Sequence, residues 1–163
     1  MLPEHVEAVA EHLPRGEVRG RILVISDYRL LNLGHAVALS TAGYVVYTAV
    51  TCTDVPRVFA AFSVGHLDAV VFASLVHGWH HEEAERRPTD VPHTSDEEWQ
   101  TRNIIQVIHT VTARQQIPPK ILIATDLLGY TCYDINAESL AAAGIEYDIY
   151  SAGDPPSILR YLQ

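Results

Sequence analysis

Histidine, glutamate and aspartate offer this sequence most of its chemistry, and they are unevenly spread. The segment "HGWHHEEAERRPTDVPH" carries His77, His80, His81 and His93 together with Glu82 and Glu83. Imidazole and carboxylate form a donor set suited to Zn²⁺ or another borderline metal. The spacing matches no H-E-x-x-H helix, and a solvated or partner-contacting loop is the competing reading. Trp79 lies inside the same segment and either folds back over the protein or anchors a partner. Asp27 closes "RILVISD", Asp68 opens "LDAVVFAS", and Thr125 and Asp126 close "ILIATD". Cys52 and Cys132 form no C-x-x-C pair and no metal-ligand spacing, so they read as two reduced thiols.

The elements that must position these groups follow from periodicity. In "PEHVEAVAEHLP", Val6, Val9, Ala10 and Leu13 recur at helical spacing between Pro3 and Pro14, which predicts a short amphipathic N-terminal helix. The polar "RGEVRG" links it to "RILVISD", an apolar, β-branched run that predicts a buried strand with Asp27 at its tip. "LLNLGHAVALSTA" reads as a helix, with Gly43 where a C-terminal cap belongs, and "YVVYTAV" as the second strand. "DVPRVFAAFSVGH" reads as a helix capped by Asp54 with Pro56 in its first turn, and "LDAVVFASLV" as the third strand. "SDEEWQTRNIIQVIHTVTARQQ" predicts a helix capped by Ser95 or Asp96, and "KILIATDLL" the fourth strand. "AESLAAAGI" is a short helix stopped by Gly144, "EYDIYS" the fifth strand and "PPSILRYLQ" a closing helix. His35 and His109 fall within helices and read as structural.

Five alternations of strand and helix call for a parallel sheet with helices on both faces. The loops after the strand C-termini then gather at one edge, where function usually lies. That edge collects Ser26, Asp27, Tyr28, Thr51 to Asp54, Ala73 to His81, Thr125, Asp126 and Ser151. Residues 1–20 read as the N-terminal helix and linker, and 21–163 as one domain. Twenty acidic side chains against eleven basic ones give a formal charge of -9, which disfavours phosphate backbones and anionic lipid as partners. No apolar run approaches the roughly 20 residues a bilayer-spanning helix needs, and the N-terminus is too acidic for a secretory signal. A soluble, cytoplasmic protein is expected, with neither nucleic acid nor membrane as partner.

From Arg21 to Gln163 the order of elements resembles the receiver domain of bacterial two-component response regulators, the fold of the chemotaxis response regulator. The C-terminal third carries the likeness best. "ILIATD" is similar to the fourth strand with its switch hydroxyl, "SLAAAGIEYDIYS" to the alanine-rich helix, glycine and fifth strand, and "DPPSIL" to the start of the last helix. The resemblance implies a flavodoxin-like, doubly wound α/β fold with a five-stranded parallel sheet in the order 2-1-3-4-5. Here it would carry an extra N-terminal helix and a long loop after the third strand, far beyond the usual ~2–6 residues.

Family receivers accept a phosphoryl group on an aspartate at the third strand's tip. An acid pair after the first strand holds Mg²⁺, a hydroxyl after the fourth contacts the phosphoryl oxygens, and a lysine after the fifth neutralises charge. In this sequence the acid pair is matched by Ser26 and Asp27, and the acceptor position falls on Ala73, beside Ser74. Thr125 matches the switch hydroxyl, and Ser151 with Ala152 stands where the family has Lys-Pro. Asp68 belongs to the strand's opposite end, about five residues of ~3.3 Å away, and is better read as satisfying backbone. Asp27 reads as a remnant that hydrogen-bonds loop amides.

The resemblance therefore implies a degenerate pseudo-receiver that is not an enzyme, holds no cofactor, binds Mg²⁺ weakly or not at all, and signals through protein contacts without aspartyl phosphorylation. The expected contact residues are Trp79, Tyr147 and Tyr150, with a protein of a signalling pathway as partner and a homodimer through the fourth helix, fifth strand and last helix. The alternative is a small-ligand or metal-binding α/β protein using the loop 77–93, with Zn²⁺ at His77, His80, His81 and His93. The D-x-H-x-x-G of cobalamin-binding domains is not in "DYRLLNLGH", and no glycine-rich phosphate loop is present.

Overall fold

The structure is a computed structural model that describes residues 8–73, 96–125 and 135–162. Its strands are β1 (Val9–His12), β2 (Gly20–Ile25), β3 (Tyr44–Ala49), β4 (Ala69–Phe72), β5 (Lys120–Thr125) and β6 (Asp148–Ser151). Its α-helices are α1 (Arg29–Thr41), α2 (Val55–Ala61), α3 (Asp96–Thr112) and α4 (Ala137–Ala142), with 3₁₀ turns at Cys52–Asp54 and Pro155–Tyr161. Together the strands form one sheet in the order β1-β3-β2-β4-β5-β6.

From β3 to β6 every pair is parallel, which is the predicted doubly wound order once β1 is set aside. Both faces of such a sheet are covered, so its strands read as continuous apolar runs. Ile22 and Val24 of β2 join one core with Ala36 and Leu39 of α1 and Ile158 of the closing turn. Leu23 and Ile25 join the other, with Val55 and Val58 of α2 and Ile104, Val107 and Val111 of α3.

Two expectations need correction. The N-terminal segment is not a helix where it is described: Val9–His12 is a strand, antiparallel to β3, with Val9 opposite Ala49 and His12 opposite Val46. The helical spacing of Val9, Ala10 and Leu13 yields to long-range ladder bonds that a local period cannot register. Leu13 lies beyond the strand and is largely exposed, not on a buried helix face. The closing "PPSILRY" is 3₁₀ rather than a full α-helix, with Pro155 and Pro156 in its first turn.

Two glycines are required by geometry. Gly43 follows α1 at φ +104°, a left-handed conformation that favours a residue without Cβ. At Gly20 a Cβ would meet the Asp68 carboxylate at 2.5 Å. That carboxylate accepts the Arg21 backbone N–H at 2.8 Å, so Asp68 satisfies backbone at the N-terminal end of the strands, as the sequence suggested.

Candidate functional site

At the strand C-termini, Ser26, Thr51, Asp54, Ala73 and Thr125 are all buried, while Asp27 and Ser151 are half-buried. Each element ends there for a local reason. Beyond β2, the Ser26 Oγ accepts the Tyr28 N–H at 3.0 Å, turning the chain into α1. Beyond β3, Thr51 and Asp54 form a capping box on the 3₁₀ turn. The Asp54 carboxylate accepts the Thr51 amide at 3.2 Å and the Thr51 hydroxyl at 2.9 Å, and Arg57 reaches its other oxygen at 3.4 Å. Asp54 was expected to cap α2; its carboxylate instead closes the turn before it.

At the acceptor position, Ala73 is fully buried, its N–H donates to the Ile25 carbonyl at 2.8 Å, and its methyl belongs to the apolar cluster of Val24, Ala36, Ala124 and Ala152. The Thr125 hydroxyl donates to the Tyr150 carbonyl at 3.2 Å. Ser151 ends β6, and its carbonyl accepts the Asp154 N–H at 2.9 Å. The structure thus brings Ser26, Asp27, Ala73, Thr125 and Ser151 to one edge, with the hydroxyls of Ser26 and Thr125 engaged by backbone.

Sequence reasoning missed a network beneath this edge. Asn32, buried on α1, donates through Nδ2 to the carbonyls of Ser26 at 2.8 Å and Ala49 at 3.2 Å, tying the ends of β2 and β3 to the helix. One turn on, His35 is fully buried. Its Nδ1 lies 2.8 Å from the Leu31 carbonyl, and its Nε2 lies 2.7 Å from the Tyr150 hydroxyl. A carbonyl can only accept, so the hydrogen sits on Nδ1 and Tyr150 donates to Nε2. Burial holds the imidazole pKa below its ordinary value, partly offset by the Leu31 bond. The available signal was a pair of polar residues, Asn32 and His35, at the inward helical positions that Ala36 and Leu39 continue.

Tyr150 is therefore not a partner contact: it is buried, its ring packs edge-on to His35 at 5.7 Å, and its hydroxyl is committed. Tyr147 is half-buried and lines an open cleft of about 800 Å³ at the other end of the sheet, with Ile108, His109, Lys120, Gly144 and Asp148. His109, read as structural from its helical position, is exposed on that cleft. Ser74, His77, Trp79, His80, His81, His93, Asp126 and Cys132 lie outside the described residues. Among the described residues no three His, Cys, Asp or Glu side chains converge on a metal position, and no helix is long and apolar enough to cross a membrane.

On the predicted dimer face, Ile149 of β6 is half exposed. Two of the strand's carbonyls are covered: that of Ile149 accepts the Tyr161 hydroxyl at 2.8 Å and that of Ser151 accepts the Asp154 N–H at 2.9 Å.

No family model and no curated protein matches the chain. Among solved structures it is similar to the chemotaxis protein CheY4 of Vibrio cholerae, at 14% identity and a TM-score of 0.47, over 91% of this chain and 100% of that one. It is also similar to a response regulator receiver domain protein from Clostridium thermocellum, at 14% identity and a TM-score of 0.42, over 88% of this chain and 99% of that one.

Proposed function

We propose that this protein is a receiver-like signalling module that acts through protein contacts, without accepting a phosphoryl group on its third parallel strand. The observation that carries the reading is Ala73. A methyl group offers no nucleophile, and this one is packed as core at the position where a receiver's acid would meet solvent. Around it, the hydroxyl that would contact a phosphoryl oxygen, on Thr125, is bonded to Tyr150. Ser151 and Ala152 supply no cation where charge would develop. The buried acid of the same edge, Asp54, holds a turn.

The module works by binding rather than turnover, and the cytoplasm is its proposed location. A protein of a signalling pathway is its proposed partner. Self-association through α4, β6 and the closing 3₁₀ turn has Ile149 as its exposed apolar side chain, and variants at that position test it.

The experiment is an amide NMR titration of the labelled chain with Mg²⁺ and then beryllofluoride. No shift is expected at Asp27, Ala73 or Thr125. A saturable response at those amides that requires both additions would overturn the reading, because it would reveal an acyl-phosphate site.

A further inference from the structure

His35 ties the middle of α1 to β6, across 115 residues of sequence. Its ring is fully buried, and its Nε2 lies 2.7 Å from the Tyr150 hydroxyl. Tyr150 sits among further bonds of the same strand: its carbonyl accepts the Thr125 hydroxyl, and the neighbouring Ile149 carbonyl accepts the Tyr161 hydroxyl. A change at this ring is therefore placed to reach β6, the closing turn and the end of β5.

We propose that the bond between His35 and Tyr150 is an acid-sensitive latch: protonation of the imidazole releases the Tyr150 hydroxyl and loosens β6 and the closing turn from α1. The geometry supplies the reason. The Leu31 carbonyl, 2.8 Å away, holds the hydrogen on Nδ1, so an added proton goes to Nε2. There it meets the hydrogen of the Tyr150 hydroxyl. Two donors then face each other, and the hydroxyl must turn or withdraw. A cation is left beside the apolar cluster of Ala36, Leu39 and Ile158, where an ion without a counter-charge is costly.

No buried counter-charge is at hand. By strand alternation the titratable groups on the α1 side of the sheet are His12 of β1, Tyr44 of β3, and Asp148 and Tyr150 of β6. Helix α1 adds Arg29, and the closing segment adds Asp154, Arg160 and Tyr161. Both carboxylates of this set, Asp148 and Asp154, are exposed, and the two ring nitrogens are taken by Leu31 and Tyr150. Glu11 and Arg21 lie on the other side of the sheet, with Tyr47.

The sign follows from burial, which favours the neutral ring. The latch is fully closed above about pH 6.5, the value of a solvated imidazole, and gives way as pH falls toward the lower folded value. The ratio of open to closed chains rises by at most about tenfold per pH unit, the slope of one proton. Because β6 carries Ile149, acid would also alter the contact face proposed above. That consequence rests on the contact reading, whereas the latch does not: a beryllofluoride response would end the reading and leave the titration of His35 as it is.

An NMR titration of the labelled full chain from about pH 7.5 to about pH 5 tests it. The His35 ring and the amides of Ile149, Tyr150, Ser151 and Tyr161 should follow one sigmoid with its midpoint below about pH 6.5, while Val58 of α2 and Ile104 of α3 keep their shifts. Tyr150→Phe removes the donor that favours the neutral ring and should raise the midpoint. His35→Gln should flatten the sigmoid at β6; should that variant not fold, the wild-type titration decides alone. A ring that protonates while β6 stays still would overturn the latch. So would a ring that stays neutral throughout, or a sigmoid at β6 that persists in His35→Gln and so belongs to another group.

Discussion

Helices α1 and α3 lie on opposite faces of one sheet and divide their residues in opposite ways. Helix α3 has the larger apolar face: Ile104, Val107, Ile108 and Val111 are buried, Gln100, Thr101 and Asn103 are buried before them, and Glu98, Arg102, Gln106 and His109 face solvent. Helix α1 buries an asparagine and a histidine and exposes two leucines and a valine. Transfer of apolar surface from water dominates the later turns of α3, whereas on α1 the packing of Ala36 and Leu39 is joined by hydrogen bonds from Asn32 to the strand ends and between His35 and Tyr150. The lesson is that α1 adds directed bonds to packing on its inner side and leaves Leu30, Leu33 and Val37 exposed on its outer side. In α3 the apolar face does most of the holding, and the buried Thr101 hydroxyl adds a bond by accepting the Asn136 N–H at 2.8 Å.

The contrast should be visible in stability, and the largest effect belongs to α3. Ile104→Ala empties a fully buried site and should cost about 2–5 kcal/mol in denaturant melts. A loss below ~1 kcal/mol would mean that α3 is not the conventional member of the pair. Next comes the inner side of α1: Tyr150→Phe leaves His35 Nε2 buried without its donor, for a loss of about 1–3 kcal/mol. An unchanged melt would show the bond to be dispensable.

The same histidine gives a pH signature. Its folded pKa lies below the ordinary value near 6.5, so the unfolded chain takes up the proton first. His35 therefore contributes stability that is fully present above about pH 6.5 and is lost as pH falls through the folded pKa, at no more than ~1.4 kcal/mol per pH unit. The measurement is the difference between wild type and His35→Gln, whose stability should depend less on pH below 6.5. Parallel curves would remove His35 from the account. The smallest effect should be on the outer side of α1, where Leu33→Gln should change monomer stability by no more than ~0.5 kcal/mol. A large loss there would mean that this outer face is already covered within one chain.

Much of this was legible before any coordinates. Continuous β-branched runs gave the four inner parallel strands because a sheet buried on both faces needs nothing else. The cap glycines gave the ends of α1 and α4, and Asp68 was rightly placed with the backbone at the far end of its strand. The failures have one physical character. Strand β1 exists because β3 offers it a ladder, and Tyr150 is buried because His35, 115 residues away in sequence, accepts its hydroxyl. Both are long-range pairings, invisible to a local period. Of the candidate site, Ala73 could be read from its type alone, whereas the engagement of Ser26, Thr51 and Thr125 needed geometry. His35 was read as structural, which it is, but its partner was mistaken for a contact residue.

Strand β6 closes one side of the sheet, and an unpaired strand there is a template for indefinite growth by identical chains. The Tyr161 hydroxyl on Ile149 and the Asp154 amide on Ser151 fill two of the acceptors such growth would use. The 3₁₀ turn Pro155–Tyr161 thus works as a stopper at this edge. A cut before Tyr161 would uncover the Ile149 carbonyl while Asp154 still holds that of Ser151.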